Sequence, residues 1–271
     1  MRVFRTLASV IALGLILTGC STNPSTGRSQ LILLSSEQLS AMGAEAKPQM
    51  VQEFGGEVSS PQLRNYVSEV GNKVAAHVEP QYRNIQWDFV TLNSDVINAF
   101  ALPGGHIFVT RGLLSRMTNE AQLAAVLGHE VGHVTGRHAD ERVSQSMAAQ
   151  GLLIGIGTAT ESQVLVEGAN SLANTVLLSF SRDQEDESDW QGIKYMVRAN
   201  YDPQGMVQLL QILIDASQGQ RPPEMTSTHP YPENRLRDVQ KTIETKYANT
   251  QGSSSYRLQE RRFRERAGPY L

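Results

Sequence analysis

The chain has 271 residues, 40% of them hydrophobic and 19% charged, which fits one globular domain or a domain with a small appendage. A formal net charge of −3 supplies no positive field to gather phosphates, which argues against nucleic acid as the main partner. The chain carries no internal repeat, Walker loop or dinucleotide-binding glycine pattern.

The first elements belong to targeting rather than to the fold. "MRVFR", with Arg2 and Arg5, precedes "TLASVIALGLILTG", an apolar stretch too short to span a bilayer comfortably. Residues 1–19 therefore read as a secretory signal. The signal ends in "LTGC" (17–20), which resembles the bacterial lipoprotein pattern, where the cysteine is lipidated and becomes the first mature residue. Cys20 is the only cysteine in the chain, so no disulfide can form within it. The alternative is a plain signal peptide or an uncleaved anchor, with Cys20 incidental. Lipidation implies several acyl chains and a stable hold on a membrane, with residues 20–271 outside the cytoplasm. Ser21 is not an aspartate, which favours the outer membrane, facing the periplasm. "STNPSTGRSQ" (21–30) is polar and rich in turn formers, so residues 20–35 are expected to be a lipidated terminus and tether.

Residues 36–248 carry the expected domain. Helices are predicted over 36–53 and 61–78; in the second, Leu63, Tyr66, Val67, Val70, Val74 and Val78 recur at helical spacing behind Pro61. "NIQWDFVTLN" (84–93) alternates and reads as a strand, and 96–112 as two strands about Pro103–Gly104–Gly105. Helices follow over 119–138 and 140–150. The glycine-broken stretch 151–163 is either a mobile lid or a packed connection. Four more helices are predicted over 164–180, 182–199, 203–217 and 232–247. The basic tail 249–271 contains "YRLQERRFRER", five arginines against two glutamates, a solvated face or a contact for anionic lipid. The outline is α+β, mostly helical, with one small sheet.

The chemistry gathers at "HEVGH". Residues four apart on a helix share a face, so His129 and His133 can present imidazole nitrogens to one metal ion. Glu130 is too close in sequence to be a comfortable third ligand, but it can act as general base on a water at that metal. A catalytic metal needs a third protein ligand. In "SFSRDQEDESDWQG" (179–192), Glu185 and Asp189 are again four apart. Glu185 can complete a two-histidine, one-carboxylate site, and Asp189 can reach the far nitrogen of a ligand histidine. The competing reading is an acidic helix face, since Asp183, Asp186 and Glu187 lie in the same segment.

H-E-x-x-H with S-R-x-x-E-x-x-x-D-x-x-G resembles the zinc endopeptidases related to the CAAX prenyl proteases, in their soluble bacterial periplasmic branch. "NPSTGRSQ" (23–30), "NAFALPGGHIFVTRGLL" (98–114) and "STHPYPENR" (227–235) match as well, so the resemblance covers about residues 22–245. It implies a zincin-type domain with one zinc ion, held by His129, His133 and Glu185. Glu130 would be the base, and Asp189 would support a ligand. It also implies a histidine close to the zinc at His229, either stabilising the oxyanion or acting as a fourth ligand in a closed state. An extended peptide would lie along an edge strand, "VINAFAL" (96–102), with Asn98 bonding its backbone. The implied activity is cleavage of unfolded or misassembled envelope proteins, near outer-membrane assembly machinery; the alternative is a chaperone or assembly factor that cleaves little. Two departures stand out: Ser188 where alanine is usual, and His106 where an aromatic residue is common. His77 and His138 sit at helix ends and are not needed for the site.

Overall fold

A three-stranded sheet with both faces buried divides the domain into two cores. The structure, a computed structural model, describes residues 20–149, 165–166, 168–170, 172, 177–217, 224–230 and 232–271. The chain opens with a hairpin of β1 (Cys20–Thr22) and β2 (Ser29–Leu31), then helices α1 (Ser36–Glu53) and α2 (Pro61–Ala75). Strands β3 (Asp88–Leu92), β4 (Ala99–Leu102) and β5 (His106–Thr110) lead into the short α3 (Arg111–Leu114). Helices α4 (Glu120–Thr135), α5 (His138–Ala149), α6 (Arg182–Arg198) and α7 (Gln204–Ser217) follow. The short α8 (Glu224–Thr228), α9 (Pro232–Lys246) and α10 (Glu260–Arg266) complete the fold. The expected mostly helical α+β architecture is found. The signal at 1–19 and the candidate lid at 151–163 lie outside the described residues; of the helix expected over 164–180, residues 165–166, 168–170 and 172 are helical, whereas 177–180 are not. Among the described residues, no helix is long and apolar enough to cross a membrane.

The strand order is β3-β5-β4, with β3 and β5 parallel and β4 antiparallel to β5, so β4 forms an edge. Alternation sorts the side chains. Ala99, Ala101, Ile107 and Val109 enter one core with α2, α4, α6 and α7, while Phe100, Leu102 and Phe108 enter the other with α1 and α5. Phe100 faces Phe108 across the strands, their rings stacked at 4.7 Å. Gly104 and Gly105, at φ 84° and 92°, make the turn between these strands in a region that disfavours side chains.

Two ends of the chain differ from expectation. Residues 20–31 are not a slack tether: β1 pairs with β2, and Asn23 and Gln30 are buried. The Asn23 side-chain amide donates to the Thr135 carbonyl (3.0 Å), and that of Gln30 to the Gly136 carbonyl (2.6 Å). These carbonyls end α4, where no intrahelical donor is left for them, so the hairpin supplies the cap. The basic tail is likewise folded in. Phe263 is buried, Arg262 pairs with Glu120 and Glu69, and Arg266 lies 3.2 Å from Glu69. Polar composition hid both segments, because their partners lie more than a hundred residues away.

His106 lies on the sheet beside Asp88, which contacts it at 3.0 Å and Lys47 of α1 at 2.6 Å. Hydrogen bonding to His106, with help from Lys47, outweighs partial burial and holds the Asp88 carboxyl at about 2. The native value is thus below the unfolded one, so the group adds stability above the unfolded value, and that stability is lost as pH falls through about 2. We expect Asp88→Asn to lower the thermal midpoint modestly at neutral pH, with the gap to the parent closing below about pH 4. A gap that persists unchanged into acid would show that the loss is one of packing.

Candidate metal centre

The site is built on α4. Asn119 caps the helix by accepting from the Gln122 backbone amide, and every helical residue except Val134 is buried. A helix apolar on all sides belongs in the middle of a domain. Here it packs closely on α6 through glycines. A side-chain carbon added at Gly132 would stand 2.8 Å from the Ser188 carbonyl oxygen, and one at Gly192 would stand 2.9 Å from the His129 backbone nitrogen. That approach brings the His129–His133 face against Glu185, Ser188 and Asp189, one face of α6. Ser181 starts α6 with a capping box to Gln184. His229 follows α8 directly, its backbone amide donating to the Met225 carbonyl at 2.7 Å.

Four donors converge. His129 Nε2 lies 3.0 Å from His133 Nε2 and 3.2 Å from His229 Nδ1. Glu185 Oε1 lies 2.9 Å from His229 Nδ1 and 3.4 Å from His133 Nε2. All four ligand atoms fall within 4.8 Å of one another and all four residues are buried. A tetrahedral site with bonds of roughly 2.0–2.1 Å has edges of about 3.4 Å. The distances observed are close to that.

The hydrogen-bond directions make the case stronger. Asp189 Oδ1 accepts from His129 Nδ1 at 2.9 Å, which leaves a lone pair on His129 Nε2. Glu187 Oε2 accepts from His138 Nε2 at 2.9 Å, and burial lowers the His138 pKa, which favours the neutral ring. His138 Nδ1 therefore carries a lone pair and accepts from His133 Nδ1 at 2.8 Å. His133 Nε2 is then a lone pair as well. Two imidazole lone pairs facing each other at 3.0 Å repel unless a cation stands among them, so these residues fit a metal ion.

Glu130 stands beside the cluster, outside it. It is 0% exposed, neither carboxylate oxygen has a hydrogen-bond partner among the described residues, and Oε1 is 3.6 Å from His229 Nε2. Burial pushes its carboxyl up, as suits a group that takes and returns a proton. Burial alone would raise Glu185 too, but Arg235 and His229 outweigh it and hold that carboxyl well below the ordinary range. Asp189 is lowered against burial by Arg235 and His129. His229 is raised, because Glu185 and Glu130 overcome the burial that opposes its charge.

The fold thus brings together His129, Glu130, His133, Glu185, Asp189 and His229. Asn98 lies apart, just before the edge strand β4. Its backbone amide donates to Thr110 Oγ1 at 3.1 Å, and its side-chain amide is buried with no hydrogen-bond partner among the described residues. The Met225 amide donates to the Ile97 carbonyl at 3.2 Å, so the segment leading to His229 already covers the start of that edge. Two residues escaped the sequence reading. Arg235 is buried and bridges Asp189 (2.7 and 2.8 Å) and Glu185 (2.5 Å); its signal was the arginine closing "STHPYPENR". His138, set aside as a helix-end residue, is fully buried against His133. The helix expected over 119–138 ends at Thr135, and Arg137 in the left-handed region (φ 55°) turns His138 back onto the ligand.

The sequence model of peptidase family M48 matches residues 61–243. A beta-barrel assembly-enhancing protease of Yersinia pestis is 31% identical over 252 residues, 86% of this chain and 51% of the relative. The protein of the same name from Escherichia coli (strain K12) is 32% identical over 192 residues, 67% of this chain and 39% of the relative. The mitochondrial metalloendopeptidase OMA1 of Homo sapiens is 28% identical over 244 residues, 83% of this chain and 46% of the relative. The chain spans about half the length of these relatives, or less.

Arg235 contacts both Glu185 and Asp189. Removing one partner of a buried ion pair typically costs about 3–5 kcal/mol. We expect Arg235→Met to lower the unfolding free energy of the metal-free protein by that order in a urea titration. A midpoint equal to the parent's would mean that the two acids are not held as charges.

Proposed function

Because this chain belongs to peptidase family M48, we propose that it is a zinc endopeptidase that rests in a closed state. The observation that carries this reading is the pairing of a four-donor cluster with a fully buried Glu130 beside it that has no hydrogen-bond partner among the described residues. A buried carboxylate without a partner costs free energy, and a structural metal site has no use for one.

Two imidazoles, a carboxylate and a fourth position that can be vacated suit zinc, one ion per chain, and its chemistry when bound is Lewis acidity toward the scissile carbonyl and the attacking water. Glu130 takes the proton from that water and delivers it to the leaving amine. Asp189 holds the His129 tautomer, with Arg235 holding Asp189. The substrate is an extended peptide laid on the β4 edge, where main-chain hydrogen bonds ignore sequence, and Asn98 turns its amide to that backbone. His229 is the fourth donor of the resting form. Its Nδ1 sits at ligand distance from His129 and Glu185, and its segment covers the Ile97 end of the same edge. Withdrawal of residues 224–230 would free the metal position and the peptide edge together.

The names of the bacterial relatives support a substrate class of unfolded or misassembled envelope proteins, β-barrel precursors among them. Lipidation at Cys20 would keep the enzyme on the outer membrane, facing the periplasm and close to the assembly machinery there. The filled fourth position also favours a second reading, an assembly factor that binds such chains and cleaves few.

Casein hydrolysis by zinc-loaded protein separates these. We expect cleavage by the parent, a loss of about 10²–10⁴-fold in Glu130→Gln, and a rise of several-fold in His229→Ala. A fall in His229→Ala would assign that imidazole to the oxyanion instead of the resting state. Zinc binding without cleavage by parent or His229→Ala would leave the binding factor as the better reading.

A further inference from the structure

We propose that His138 is the positioning residue for His133, and that Glu187 and Arg28 extend this hold to the N-terminal hairpin. The segment next to the membrane anchor would thereby set the geometry of the metal centre. The proposal rests on the reading of His133 as a metal ligand.

The contacts form one unbroken line. His133 Nδ1 donates to His138 Nδ1 at 2.8 Å, His138 Nε2 donates to Glu187 Oε2 at 2.9 Å, and Arg28 Nε meets the Glu187 carboxylate at 3.1 and 3.2 Å. Directions are forced from the outside inward. Arg28 can only donate and the carboxylate of Glu187 can only accept, so His138 Nε2 is the nitrogen that donates, and Nδ1 is the one left to accept from His133. His133 is thereby locked with its Nε2 lone pair facing the other donors. Ser188 Oγ stands 3.3 Å from the same His138 nitrogen and adds a weaker competing bond.

The hairpin also fixes where His138 stands. His138 reaches back to a residue five positions earlier only because α4 stops at Thr135 and Arg137 takes a left-handed conformation. Asn23 and Gln30 hold the Thr135 and Gly136 carbonyls that open this turn. Arg28 lies between those two residues in sequence and pairs with Glu141 of α5 at 2.8 Å as well. One short segment thus fixes the end of the ligand helix, the start of the next, and the far end of the His138 relay. His129 needs none of this, since Asp189 and Arg235 hold it from inside the core.

The test uses full-length protein in detergent, with zinc affinity measured by competition against a chromogenic chelator well below the melting midpoint. Removing a group that supports a ligand typically costs about 10–100-fold in metal affinity, which we expect for His138→Ala. His138→Gln keeps one acceptor and one donor and should recover most of that loss. Arg28→Ala should weaken zinc binding by about threefold to tenfold, since it acts through two further bonds. In metal-free protein labelled with ¹⁵N-histidine, His133 should be the Nδ1–H tautomer in the parent and in His138→Gln, and a mixture of tautomers in His138→Ala. A role limited to stability would lower the midpoints and leave both readouts unmoved, which would overturn the proposal. An effect of His138→Ala with none from Arg28→Ala would overturn the part assigned to the hairpin. Failure of the parent itself to bind zinc would remove the metal reading, whereas normal zinc binding in every variant would remove only this proposal.

Discussion

Glu130, Glu185 and Asp189 are buried around the same cluster, with Arg235 as the guanidinium buried among them. Among the described residues that touch one another here, three carboxylates meet one guanidinium, a deficit of positive charge in a place where an uncompensated ion costs several kcal/mol. A divalent metal makes up the difference. Burial pushes the Glu130 carboxyl up, and Glu185 with Glu130 raises His229 against burial, so both shifts run in the direction that eases this deficit. Metal ligands must be deprotonated to bind, so metal entry at such a site is linked to proton release. The packing of α4 on α6 depends on that balance, because the glycine contacts that draw the helices together also force the acids under cover.

A site of this kind needs its supporting helix held at both ends. The two ends of α4 are held by residues from opposite ends of the described chain. At its start, Glu120 accepts from the Tyr66 and Tyr201 hydroxyls at 2.8 and 2.7 Å and pairs with Arg262 of α10. At its finish, Asn23 and Gln30 of the hairpin segment occupy the open carbonyls. Each net hydrogen bond is worth about 1 kcal/mol, so their value lies less in stability than in fixing position. A ligand displaced by a fraction of an ångström binds metal poorly, and catalytic geometry is equally strict.

Local chemistry made much of this legible in the sequence. Four-residue spacing put His129 beside His133 and Glu185 beside Asp189, because helical periodicity is a property of the segment itself. The start of α2 at Pro61 and the glycine turn between β4 and β5 were readable for the same reason. What escaped depends on distant partners. Arg235 lies 46 residues from Asp189, and although it closes the matched "STHPYPENR", nothing local to its helix says that it turns inward to the acids. Asn23 and Gln30 sit in a polar, turn-rich stretch whose composition is that of a linker; only the carbonyls they meet, 112 and 106 residues on, make them structural. The parallel pairing of β3 with β5, which leaves β4 at the edge, likewise follows from packing on α2 and α4 and has no local signature.

His138 is the instructive miss, because its spacing was visible and its meaning was not. A histidine five residues beyond another on a continuous helix points well away from it, so the helical reading dismissed it. The chain breaks the helix instead, at Gly136 and Arg137, and the break turns an unhelpful spacing into a contact. The two ligand histidines are consequently supported in different ways. His129 is clamped by a fully buried ion pair, inaccessible to anything outside the core. His133 is held through a neutral imidazole and a carboxylate by an arginine whose side chain is 26% exposed. Its support therefore ends at the surface, on the N-terminal hairpin segment, whereas that of His129 stays inside the core.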